Sequence, residues 1–138
     1  MTGVRGDEVA AVAVGGVVGA LARAGISAAL PHPSSAEWPW ATFLTNLVGC
    51  VLLGVLLDWT DHRAPEWKAL HPRRARLVRP LLASGVLGGF TTFSSFALEF
   101  GLFVERGALG MAALYVGLSL LAGFGALFAG LSLMRVTA

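Results

Sequence analysis

Four apolar stretches, near residues 9–30, 39–57, 78–104 and 108–134, take up most of this 138-residue chain. A helix needs about 20 apolar residues to cross the roughly 30 Å hydrocarbon core of a bilayer, and each stretch is about that long. The pattern predicts an all-α membrane protein of four transmembrane helices, one domain over residues 1–138, with no room for a separate catalytic unit. Composition agrees, since 56% of residues are hydrophobic and 13% charged, about half the charged share of an average soluble domain. The first stretch holds an Ala-x-Ala at Ala20–Ala22 like that of a cleaved leader, but three more apolar segments follow, so it reads as a retained span.

Within such spans, polar residues and glycines carry the information. Gly15 and Gly19 sit four apart in the first span, and small residues at that spacing let another backbone approach closely. Arg23 is on roughly the same side, where an embedded arginine should face protein or water, or snorkel to the interface. Trp38 and Trp40 precede the second span and fit an aromatic belt at the membrane surface. Between them and the first span, residues 31–37 form a short polar turn. Asn46 lies inside the second span, with Thr42 one turn before it. A buried amide is costly unless bonded, and its NH2 group offers two donors to an anion or to a partner helix.

The third span is written least like a simple anchor. Gly88 to Phe96 reads Gly-Gly-Phe-Thr-Thr-Phe-Ser-Ser-Phe, placing two glycines and four hydroxyls where hydrocarbon is expected. Adjacent glycines loosen a helix and free carbonyls, and a break at membrane depth is tolerated only where protein buries it or it lines a polar cavity. The sequence therefore predicts that the third helix is broken mid-membrane, ordinary helix packing being the plainer alternative. Phe93 and Phe96 share one face, as do Thr92 and Ser95. Glu99 follows seven residues after Thr92, hence on a similar face, near the aqueous end of the span, where capping the polar end is the plainer alternative. In the fourth span Tyr115, Ser119 and Gly123 recur every four residues and draw one stripe along the helix.

Several chemistries are excluded on these grounds. His32, His62 and His71 fall in loops, Cys50 stands alone in an apolar run, and the net charge of +2 does not point to nucleic acid. No triad or carboxylate pair can be assembled within the spans, so the chain is not expected to be an enzyme. A proton-coupled transporter needs an ionisable group at depth, and no mid-span carboxylate is evident. Neutral donors together with ring edges, which carry the positive end of the aromatic quadrupole, suit a small anion instead.

The chain resembles the Fluc (CrcB) fluoride channel family, small four-span proteins that export fluoride passively and so protect the cell from its toxicity. The likeness runs through Gly16 to Arg23, Thr42 to Gly49 around Asn46, Gly85 to Phe96, and Tyr115 with Ser119. The Gly-Gly-Phe-Thr-Thr-Phe-Ser-Ser-Phe run is its most specific part. The resemblance implies an antiparallel (inverted) dimer with two fluoride pores. By the same analogy Asn46 donates to fluoride, Phe93 and Phe96 supply ring edges, Ser94 and Ser95 border the path, and Tyr115 with Ser119 form a polar track. Carbonyls of Gly88 and Thr91 from both subunits would hold one structural Na+, and Arg23 would serve the pore vestibule and dimer packing. Ala24, Ala41 and Val51 depart from residues usual in the family, which touches packing and none of the inferred ligands.

Charge placement adds a question of orientation. With four spans, both termini and the central loop share one side, which collects Arg5, Arg63, Lys68, Arg73, Arg74, Arg76, Arg79 and Arg135, against Arg106 opposite. That bias predicts cytoplasmic termini for a multi-pass protein of the cell membrane. It also opposes insertion of half the copies the other way, so the second subunit is either another copy of this chain or an oppositely inserted homologue. Two other readings remain at this point: a small multidrug-type four-span exporter, which needs a carboxylate where this chain has Arg23, and a membrane assembly subunit without a pore.

Overall fold

The computed structural model describes residues 5–30 and 38–136, without the side chains of Arg63, Met134, Arg135 and Val136. The polar turn at 31–37, with His32, lies outside the described residues. All regular structure among the described residues is helical, and four helices, Gly6–Ala29, Trp40–His62, Pro72–Glu105 and Leu109–Leu133, are long and apolar enough to cross a membrane.

Helix α1 spans Gly6–Ala29, with Asp7 and Glu8 in its first turn, where carboxylates suit the positive end of the helix dipole. Helix α2 spans Trp40–Asp58 and continues as a wider π-type turn, Trp59–Arg63. Two short helices follow, α3 (Pro65–Leu70) and α4 (Pro72–Val78), each opened by its proline. Proline suits that first position because its missing N–H is one the helix leaves unpaired. Ala64 and His71, the residues before these prolines, are non-helical, as steric clash with the proline ring favours.

The third membrane segment is already helical at Pro72, earlier than the apolar pattern predicts. From α4 the chain runs without interruption through a π-type stretch, Arg79–Leu87, into the short α5, Gly88–Phe90. Pro80 sits at the start of the widened turns, which accommodate a ring that cannot donate to the helix. The helical backbone stops after Phe90: Thr91, whose N–H still reaches Leu87 O, has ψ 158°, and Thr92 has φ −146° and ψ 117°. It resumes in α6, Phe93–Glu105, where the Thr92 side chain accepts a hydrogen bond from Ser95 N at 3.2 Å, the standard device for an otherwise orphaned first-turn N–H. Helix α6 ends where Gly107 turns to φ 71°. Ala108 N then donates to Phe103 O and Gly107 N to Val104 O, both at 2.9 Å, the paired bonds of a Schellman stop that needs glycine at that position. Helix α7 spans Leu109–Val136.

The helices pack as two close pairs, α1 along the first half of the third segment and α2 along α7. Glycines make both contacts possible. A Cβ on Gly15 would lie 2.9 Å from Val86 N, and one on Gly19 2.8 Å from Phe90 N. One on Gly89 would meet the Gly16 backbone, and Gly54 and Gly130 oppose each other in the second pair. Backbone therefore lies on backbone, the geometry that small residues permit in membrane helices. Helix α6 touches chiefly α7 and buries Phe103 beside Ala112 and Tyr115. At one end of the bundle Arg76 pairs with Asp7 and Glu8, so the start of α1 and the central connection share that end.

Candidate functional site

The interruption at Thr91–Thr92 is held open by Asn46. Its Oδ1 accepts from Thr92 N at 2.8 Å and its Nδ2 donates to Thr92 O at 3.1 Å. A continuous helix would send that Thr92 N–H to Gly88 O, so the amide replaces the helix at this residue. The sequence offered Asn46 either to an anion or to a neighbouring helix. The structure engages one of its two amide hydrogens with the neighbour, and among the described residues the second has no acceptor.

Breaking the helix strands the carbonyls at the end of α5. Arg23, half-buried on α1, donates from Nε to Gly89 O at 3.2 Å, which favours a protein-facing side chain over one that snorkels to the interface. Thr91 donates both its N–H and its hydroxyl to Leu87 O, each at 2.9 Å. Gly88 is exposed at the surface.

Beside the break lies a cleft of about 450 Å³ between α2, the third segment and α7. Asn46, Gly88, Thr91, Thr92, Phe93, Phe96 and Ser119 all line it, with Cys50 and Gly123 further along. The Phe93 and Phe96 rings are 5.8 Å apart and tilted by 38°. Phe93 is 79% exposed at the cleft's open side, whereas Phe96 is half-buried and rests on Tyr115 at 5.1 Å. Ser119 Oγ is buried without a hydrogen-bond partner among the described residues.

Other residues singled out in the sequence lie just outside the cleft walls. Ser94 and Ser95 place their hydroxyls 3.2 and 3.1 Å from Thr92 Oγ1, forming the cap of α6. Tyr115 is fully buried, and its hydroxyl donates to Glu99 Oε2 at 2.5 Å. Thr42 donates to the other oxygen, Oε1, at 2.6 Å. Glu99 is therefore not a cap at the aqueous end of the span, as its position suggested, but a bridge joining α2, α6 and α7. Its placement one face below Thr92 was visible in the spacing. The partners were not, because they come from other helices.

Thr92 is the residue that sequence reasoning undervalued. Its backbone is clamped by Asn46 and its side chain starts α6. The i, i+3 pair Thr92 and Ser95 was the available signal, being the spacing of a helix cap.

Residues 10–131 match the family described as "CrcB-like protein, Camphor Resistance (CrcB)". A protein of Rhodospirillum centenum named "Fluoride-specific ion channel FluC" is 47% identical over 128 residues, 91% of this chain and 93% of the relative. One of the same name from Novosphingobium aromaticivorans is 45% identical over 126 residues, 90% of this chain and 93% of the relative. In Thermobifida fusca, "Fluoride-specific ion channel FluC 2" is 53% identical over 87 residues, 62% of this chain and 57% of the relative.

Proposed function

The chain belongs to the CrcB-like protein family, and on that premise we propose that it is a fluoride-specific ion channel, a multi-pass membrane protein that lets F− leave the cell passively. The observation that carries this reading is the cleft that gathers Asn46, Phe93, Phe96 and Ser119. Fluoride holds its water tightly, so a route through hydrocarbon must replace that shell with donors in fixed places. The second Nδ2 hydrogen of Asn46 and the Ser119 hydroxyl, both without a partner among the described residues, and the rims of two phenyl rings are such donors. Ring rims carry positive partial charge, so they favour an anion that can touch them closely. These proteins are channels, not enzymes, and the relatives' names favour neither an exporter nor a subunit without a pore.

Conduction needs a second subunit, inserted in the opposite sense, in this reading. Phe93 stands 79% exposed at the open side of the cleft, a ring that a partner would cover. Two copies of the broken segment meeting face to face bring together the carbonyls of Gly88 and Thr91. The break leaves Gly88 O without its helical donor and Gly88 exposed, which fits oxygen ligation of a hard cation such as Na+. That ion would supply a fixed positive charge and tie the two breaks together. Ser94 and Ser95 set the start of α6, and Tyr115 positions Phe96. Both termini are cytoplasmic by the basic bias, and the partner is another copy or an oppositely inserted homologue.

The test is fluoride efflux from liposomes carrying Asn46→Asp or Phe96→Ile. Both variants are expected to lose fluoride flux while eluting as dimers on a sizing column. Normal flux from both overturns the assignment.

A further inference from the structure

Trp40 is 55% exposed, as a ring in the interfacial belt should be, but Trp38 is turned inward. Its Nε1 is buried and has no hydrogen-bond partner among the described residues. An indole N–H normally finds an acceptor when buried, and an orphaned buried donor calls for an unseen water or ion.

Its neighbours point to the ion. Trp38 packs edge-on against Tyr115, centroids 5.2 Å apart and planes at 88°. Tyr115 packs on Phe96 at 5.1 Å, and Phe96 on Phe93 at 5.8 Å. The rings form a ladder that leaves the cleft and reaches Trp38, just before the first turn of α2, where Trp38 also meets Phe43 at 5.5 Å and Trp40 at 6.2 Å. Along it, the hydroxyl hydrogens of Thr42 and Tyr115 are committed to Glu99, so among the described residues the indole N–H is a donor without a partner that could serve an anion. It cannot act as an acceptor, which excludes a cation as its ligand. The positive end of the α2 dipole lies beside it and favours negative charge.

We infer that Trp38 is a fluoride-binding residue outside the cleft, its indole N–H forming a separate station where the ion rests beside the aromatic ladder. This rests on the channel reading above. The station requires no rearrangement of Glu99, since it uses a donor without a partner among the described residues.

The experiment follows the four tryptophan indole N–H resonances of the ¹⁵N-labelled full chain in detergent, with Trp38→Phe identifying the peak. Sodium fluoride is expected to move the Trp38 signal saturably, while sodium chloride at equal concentration leaves it in place. Trp38→Phe keeps a ring on Tyr115 and removes only the donor. It is expected to lower fluoride efflux from liposomes roughly tenfold, the factor carried by one hydrogen bond to a charged group. A Trp38 signal indifferent to fluoride, or wild-type efflux from Trp38→Phe, overturns the inference. If Asn46→Asp and Phe96→Ile abolish flux in the same assay, the channel reading stands and only the outer station falls. If those two conduct normally, the channel reading itself has failed.

Discussion

Replacing Asn46 by leucine removes both bonds that hold the helix interruption, 2.8 Å to Thr92 N and 3.1 Å to Thr92 O. Leucine fills a similar volume, so packing changes little and the loss is one of polar pairing. Thr92 N–H and C=O are then left without partners in a half-buried site, each at a cost of about 1–3 kcal/mol. Access of water to the cleft lowers that cost, which leaves about 2–4 kcal/mol for the pair. In a chain of this size such a loss lowers the thermal midpoint by roughly 5–15 °C. The chain has one other way to satisfy Thr92 N–H, by returning it to Gly88 O and closing α5 onto α6. That removes the stranded carbonyl as well as the donor, so fluoride efflux is lost by either route. Thermal unfolding in detergent and liposome efflux on the same preparation measure both effects. A midpoint within about 2 °C of the parent, together with undiminished efflux, refutes the idea that this amide maintains the break.

Gly19→Val should weaken the fold, because its Cβ would lie 2.8 Å from Phe90 N and 2.9 Å from Val86 C with only backbone there to move; a fall in thermal midpoint equivalent to about 1–3 kcal/mol is expected. Gly54→Val should act alike in the other helix pair, since its Cβ meets Leu131 N at 2.9 Å, and a midpoint equal to the parent's would show that α2 and α7 are not held backbone to backbone. Tyr115→Phe deletes the hydroxyl that donates to Glu99 and should cost about 1–3 kcal/mol in thermal stability while keeping the ring under Phe96. Arg23→Met frees Gly89 O and should lower the midpoint by a few degrees without changing fluoride selectivity over chloride, which paired efflux measurements would check.

The four spans were legible because hydropathy at bilayer length is a strong signal. The start of the third helix was not, since Pro72 to Val78 is too basic to read as a span. Asn46, Phe93, Phe96 and Ser119 were each visible as residues out of keeping with lipid, and the cleft gathers all four. What spacing could not convey was pairing across helices. The Asn46 clamp on the Thr92 backbone and the Thr42–Glu99–Tyr115 bridge join positions 46 and 57 residues apart in the chain. Periodicity within one helix reports which face a residue occupies and is silent about what meets it. Trp38 shows the same limit, because a belt position and an inward-facing donor look alike in a linear sequence.

The central claim is that neutral donors and ring rims beside a helix break replace the water of a small anion. Its most direct test is ion efflux from liposomes reconstituted with the purified chain, read by fluoride and chloride electrodes in parallel. Rapid loss of fluoride with chloride retained is the predicted result. Equal release of both ions, or of neither from vesicles shown to contain the folded dimer, would contradict it.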